Sequence, residues 1–205
     1  EWSASETDYY NNTNFLGDFG NSNPVILNLS NLPPHDSVRV EFDLYLLDSW
    51  DGNSSSNGYD FWSLDINGNS IIYTTFDNEC QNNQSQAYPQ NHPASNPCYT
   101  GATSTSLPEF CSHGDHGSMY EISRTSHSNQ STLVIDFYSN TAANQNYCDE
   151  NWALDNVRVY LSDYDDITAT NTTMVTTSGW NYVTVTDSLG CSATDSVYVH
   201  ITTSV

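Results

Sequence analysis

Lysine is absent from this chain and arginine occurs three times, against 25 aspartates and glutamates, which leaves a net charge of −22. Without clusters of cations the chain has nothing with which to neutralise phosphates. That excludes nucleic acid as a partner and argues against an anionic membrane surface. Helical periodicity is nearly missing, and no run approaches the ~20 apolar residues of a transmembrane helix. A basic leader followed by an apolar segment is also missing, so a chain opening at Glu1 reads as a mature, processed product. Catalytic signatures are lacking: no GxSxG, HExxH or P-loop occurs, and lysine is not there to act as base or nucleophile. Acidic pairs such as Asp149/Glu150 have the chemistry of glycosidase carboxylates, but no spacing singles one out. The chain therefore reads as a non-enzyme.

What fills the chain is hydroxyl and amide: 28 Ser, 21 Thr and 24 Asn in 205 residues. Six Asn-x-Ser/Thr triplets occur, about as many as this composition produces at random, so they carry no weight for N-glycosylation. Aromatics at 13%, with 14 Tyr, 7 Phe and 5 Trp, argue against the disorder that an acidic chain otherwise invites. The length allows one large domain plus an appendage.

Alternation of β-branched and aromatic residues with polar ones dominates. It predicts strands at 25–29, 38–47, 61–66, 70–76, 120–124, 132–138 and 152–161. Asn67-Gly68 is a hairpin turn, and Pro33-Pro34 breaks a ladder. Trp62 and Trp152 fall on core faces. Residues 77–118 lack periodicity and read as a long insert that needs stapling. The acidic run 163–166 separates a tail with strands near 167–177, 182–186 and 196–201. Short antiparallel strands with irregular loops make the fold class all-β, an antiparallel β-sandwich over residues 1–162 with a short β tail over 163–205. Three strands alone are marginal, so the tail is expected to dock on the sandwich or to complete itself with another chain by β-augmentation.

The five cysteines are Cys80, Cys98, Cys111, Cys148 and Cys191. They point to an oxidising compartment, with Cys80–Cys98 and Cys111–Cys148 as the expected bridges, although sequence alone does not fix connectivity. Cys191 is left as a buried thiol or an intermolecular bridge. The cluster Cys111, His113, Asp115, His116 has zinc-type ligands without the paired spacing of a structural zinc site.

Two stretches resemble known families. FLGDFGN (15–21), LPPHDSVRVEFDLYLLDSWDGN (32–53), GYDFWSLDING (58–68), TTF (74–76) and DENWALDNVRVYL (149–161) together resemble a jelly-roll, lectin-like domain of large secreted and surface proteins of bacteria. The insert from 78 to 119 departs from that pattern, so a site there is not inherited. SGWNYVTVTDSLGCSATDSVYVHI (178–201) is similar to the C-terminal half of the Ig-like or PKD-like repeats of Bacteroidetes surface proteins exported by the type IX route. The resemblances imply accessory roles outside the cell: adhesion, carbohydrate binding or structural support. Asp-Ser-hydrophobic triplets at Ser37, Ser188 and Ser196 resemble that phylum's O-glycosylation motif.

The loop carrying Asp48, Asp51, Asn53 and Asp60 concentrates oxygen ligands of the kind Ca²⁺ takes, and Asp149 and Glu150 are expected to approach from the other loop at the same end. The competing reading is a solvated acidic turn. Asp155 alternates inward and needs a partner. The jelly-roll resemblance implies a structural Ca²⁺ there, with Asp18 or Glu41 joining; an ion pair with Arg39 or Arg158 is the alternative. Trp50, Tyr59 and Tyr99 are candidates to stack on sugars. The expectation is a non-catalytic extracellular structural or adhesive protein of a bacterial surface, self-associating head to tail through its tail. The second reading is a Ca²⁺-dependent carbohydrate-binding module that meets surface glycans.

Overall fold

A computed structural model describes residues 1–10, 12–20, 24–54, 58–80, 85–108, 117–141, 150–162, 175–186 and 190–201. Among them are twelve strands and no helix, hence none long and apolar enough to cross a membrane. The chain divides into two compact units, Glu1–Tyr164 and Asp165–Val205.

The first unit is an antiparallel β-sandwich. Its strands are β1 (Thr7–Tyr10), β2 (Thr13–Phe19), β3 (Val25–Ser30), β4 (Ser37–Leu47), β5 (Phe61–Ile66), β6 (Asn69–Thr75), β7 (Ser104–Leu107), β8 (Gly117–His127), β9 (Thr132–Asn140) and β10 (Asn151–Ser162). One sheet runs in the order β1-β2-β10-β4-β8-β7 and the other β3-β9-β5-β6. The chain therefore crosses between sheets at β2 to β3, β3 to β4, β4 to β5, β6 to β7, β8 to β9 and β9 to β10.

Alternation builds the core. Val38, Val40, Phe42, Leu44 and Leu46 of β4 are at most 2% exposed and meet Trp62, Leu64 and Ile66 of β5 and Leu133, Ile135 and Phe137 of β9. Aromatic pairs lock the sheets together: Phe42 lies 5.6 Å from Trp62 and edge-on to Phe137 at 5.4 Å, and Trp62 meets Trp152 edge-on at 5.9 Å. Such contacts contribute about 0.5–1.5 kcal/mol each beyond burial.

The described part of the insert is stapled by a Cys80–Cys98 disulfide and by side chains that serve as backbone. Gln86 donates to the carbonyls of Tyr88 and Thr100, and Asn96 to those of Ala87 and Tyr88. Cys111, Cys148, His113, Asp115 and His116 lie outside the described residues.

Four features depart from the sequence reading. β1, β2 and β7 are additional strands, and β8 begins at Gly117. β7 has four residues, and Gly17 interrupts β2, so neither shows clean alternation. β10 contains a register shift between Asp155 and Arg158, with Asn156 at φ 52°. It resets the alternation: Trp152 and Leu154 face the core and Asp155 faces out, only half-buried. In the second unit, β11 (Gly179–Thr186) and β12 (Ser192–Val199) form one hairpin. Most of the expected strand at 167–177 lies outside the described residues.

Candidate metal centre

At the C-terminal end of β4 the chain turns at Asp48, whose φ of 61° is uncommon for a residue with a side chain. Trp50 then inserts completely, at 0% exposure. Its indole N–H is shared between the carbonyls of Leu47 and Asn151, both at 3.1 Å, which ties the loop to the start of β10. Asn78 clamps the same turn, accepting from Trp50 N at 2.7 Å and donating to the Asp48 carbonyl at 2.7 Å. Trp50 is thus a structural plug with no face left for a sugar, which corrects its assignment as a stacking residue.

Gly52 is the tight point. Its φ is 66°, and a Cβ there would sit 2.5 Å from the Ser85 carbonyl oxygen and 2.8 Å from Asp77 Cβ. Only glycine fits so close an approach. Asn53 holds the neighbouring loop: its carbonyl oxygen accepts from Thr75 Oγ1 at 2.6 Å and its amide donates to Ser85 Oγ and the Ala94 carbonyl.

The loop closes when Asp60 accepts the Asp51 N–H at 2.6 Å, a charge-assisted bond. Glu150, at φ 43° just before β10, comes in from the opposite side. Carboxylate oxygens of Asp51, Asp60 and Glu150 then lie within 4.8 Å of one another. Asp60 and Glu150 are 0% and 1% exposed. Two oxygens on opposite sides of one Ca²⁺ sit about 4.6–5.2 Å apart, given its 2.3–2.6 Å bonds, so the cluster has the size of a cation site. An all-oxygen set of this kind suits Ca²⁺, Mg²⁺ or Mn²⁺ rather than zinc or copper.

Buried carboxylates require a partner that offsets their charge, and a divalent cation is one such partner. Of the arginines, Arg39 pairs with Glu41 at 2.8 Å and covers Tyr160, Arg124 bonds the Ser123 and Pro89 carbonyls, and Arg158 lies opposite Glu41 on the β10–β4 ladder.

Asp48 is buried beside this cluster without belonging to it. Asp149 lies outside the described residues. Asp155 is a correction: facing outward past the β10 bulge, it accepts from Thr13 Oγ1 at 3.0 Å and from Asn156 N at 2.7 Å. Among the described residues Asp155 joins neither the carboxylate cluster nor an ion pair, and Arg39 pairs with Glu41 instead.

Sequence reading missed Asp77, which is fully buried and pairs with Asp51 as an isolated bridge. Its Oδ1 accepts from Glu79 N and Cys80 N, while burial and then the charge of Asp51 push its carboxyl above the usual range. The signal was the turn-forming Asp-Asn pair just before a cysteine.

Of the remaining predicted residues, Tyr99 donates its hydroxyl to the Asn78 carbonyl, and its ionisation is held up by burial and the nearby Glu79 and Asp77. It braces the loop. Tyr59 is 41% exposed and stacks on Phe61 at 5.7 Å. Cys191 is an exposed thiol, so the buried reading of it is overturned. Ser37 contacts Ser162 within the sheet, Ser196 is exposed on β12, and Ser188 lies outside the described residues.

Comparison with protein-family models, curated proteins and solved structures gives no match.

Proposed function

We propose that this chain is a non-catalytic structural or adhesive protein of the bacterial cell exterior, a Ca²⁺-braced β-sandwich that joins to further copies through its C-terminal hairpin. The strand orders β2-β10-β4-β8 and β3-β9-β5-β6 support the jelly-roll reading, and the disulfide supports an oxidising compartment.

The observation that carries the assembly reading is the hairpin's surface. Trp180, Tyr182, Val183, Val185, Val197 and Tyr198 are each more than half exposed. Val183, Val185, Val197 and Val199 share one face by register, and Trp180, Tyr182 and Tyr198 the other. A two-stranded ribbon is marginal by itself, and so much exposed apolar surface marks an association site. Among the described residues β11 and β12 pair only with each other, so both edges offer open backbone groups. Backbone pairing is indifferent to charge, which suits a chain whose −22 opposes self-association.

Light scattering behind size exclusion, on the full chain in millimolar Ca²⁺, is expected to show mass rising with concentration. Val183→Asp with Val197→Asp should return it to monomer without altering the near-ultraviolet signal of the sandwich tryptophans. A wild-type chain that stays monomeric at high concentration and moderate salt defeats the assembly reading. The second reading, Ca²⁺-dependent glycan binding, is supported by the Asp51–Asp60–Glu150 cluster, and a glycan array with and without chelator tests it.

A further inference from the structure

On the outer face of the β3-β9-β5-β6 sheet, facing away from the core, lies an aromatic ladder that no part of the foregoing requires. Tyr59, Phe61 and Tyr73 stack in sequence: Tyr59 to Phe61 at 5.7 Å and 24°, Phe61 to Tyr73 at 4.5 Å and 11°. Tyr59 and Tyr73, the two ends of the stack, stay 41% and 39% exposed. Hydrophobic collapse does not explain this. The sandwich has ample core positions, yet three rings are spent on a surface where burial is incomplete.

The ladder is held in place from several sides. Asn91 Oδ1 accepts the Tyr73 N–H at 3.0 Å and His92 N donates to the Tyr73 carbonyl at 2.8 Å, so the loop at 91–92 grips the edge of β6 at that residue. The His92 ring stands edge-on to Phe61 at 5.2 Å and to Tyr59 at 5.3 Å. Tyr59 itself precedes Asp60 of the carboxylate cluster, so the ion-binding loop and the ladder are continuous. Rings immobilised this way lose little entropy when a ligand settles on them.

Polar groups continue the same face. Ser63 of β5 is opposite Tyr73 on one side and Tyr138 on the other. Two residues further, about 7 Å along the strand, Asp65 is opposite Asp136. Tyr138 donates its hydroxyl to Asp65 Oδ2 at 3.2 Å. Two carboxylates directly across a ladder repel; burial, and then Asp65, raise the Asp136 carboxyl above its ordinary value. This arrangement is costly for the fold alone and is relieved by hydroxyl donors.

We infer that this face, with Tyr59 and Tyr73 as its exposed rings and Asp65 and Asp136 farther along it, binds a neutral oligosaccharide, the outward faces of the two end rings stacking on its C–H faces and the carboxylates accepting its hydroxyls. Aromatic faces are the negative end of the ring quadrupole and attract the positively polarised C–H edge of a sugar ring. Carboxylates make short, strong bonds to O–H donors. The ligand is neutral because paired carboxylates on a chain of charge −22 repel uronic or sulfated glycans. The inference rests on the glycan reading above and moves the sugar from the ion loop to the sheet.

Calorimetric titration of the full chain with cellohexaose, xylohexaose, mannohexaose and chitohexaose, and with oligogalacturonate as the acidic counterpart, tests it. At least one neutral hexaose is expected to bind and oligogalacturonate not to. Tyr73→Ala, at an exposed position, and Asp65→Asn, a near-isosteric change at a half-buried one, should each weaken binding tenfold or more, while Tyr160→Ala on the other sheet changes it less than twofold. Retained calcium-dependent thermal stability shows that each variant is folded. Binding abolished by chelator yet indifferent to Tyr73→Ala and Asp65→Asn would place the sugar at the ion loop, overturning this inference and keeping the glycan reading. No binding of any neutral hexaose defeats both.

Discussion

The two units use the same residue alphabet, alternating β-branched and aromatic side chains, and reach opposite ends. Every buried apolar side chain among the described residues lies between Phe15 and Leu154, whereas seven of the twelve large apolar side chains that remain exposed lie between Trp180 and Ile201. The difference is not composition but layers. β4 can bury Val38 through Leu46 because a second sheet lies across from it. The hairpin has two apolar faces and, among the described residues of its own unit, no second layer. Alternation specifies a strand; only a facing sheet turns it into a core. The sandwich therefore carries its own core, and under the proposed assembly the hairpin gains its stability from association.

The largest expected effect breaks that contrast directly. Phe42→Ala removes a ring that touches both Trp62 and Phe137 and should cost about 3–5 kcal/mol, a large part of the 5–15 kcal/mol typical of a domain. Urea denaturation followed by tryptophan emission measures it. Val185→Ala at the hairpin, 66% exposed, should move the same transition negligibly. Comparable losses at the two sites would mean that the hairpin shares the sandwich's core after all.

A smaller effect concerns the ion. At a hundredfold excess over its dissociation constant a cation seen only by the folded state adds about 2.7 kcal/mol. Scanning calorimetry should show the sandwich melting higher with Ca²⁺ than with chelator, and Asp60→Asn should remove most of the difference. Chelated protein has a further signature in pH. The Asp77 carboxyl is raised in the folded state, so its stabilising effect is complete below the ordinary aspartate range and is lost as pH rises through the raised value. Asp77→Asn keeps an acceptor for Glu79 N and Cys80 N and should flatten that slope. A melting temperature indifferent to Ca²⁺, Mg²⁺ and Mn²⁺ up to millimolar concentrations rules the site out.

How much of this was legible in the sequence follows from which constraints are local. The strands of the core were readable because a period of two is a local property, as at Val38 through Leu46. The loop at 48–60 was readable as an oxygen cluster because its residue types are contiguous. Its membership was not: Trp50 looked like a surface ring and is a plug, because its indole is claimed by Asn151 from a hundred residues away. Asp155 looked buried because alternation was extended through a bulge at Asn156 that no residue type announces. Asp77 was invisible as a neighbour of Asp51 because a single bridge across a loop leaves no pattern. The Phe61–Tyr73 ladder needed the β5–β6 register, which Asn67-Gly68 does announce, together with the 91–92 loop, which nothing announces.

The smallest effect on the isolated chain is expected where the largest effect on assembly lies. Trp180 is 61% exposed and touches Tyr198 edge-on at 5.4 Å across the hairpin. In a dilute monomer its replacement by alanine costs that one pair, and the sandwich transition should shift by less than about 0.5 kcal/mol, as at other surface positions. Under the proposed assembly the same ring is part of a face that another copy covers, and hot-spot aromatics at such faces are worth about 2 kcal/mol or more. Measuring Trp180→Ala twice, by urea denaturation at low concentration and by sedimentation at high concentration, separates the two regimes. A large loss in the first and none in the second would show that the hairpin folds back on its own chain, and the contrast between the units would then be one of position rather than of independence.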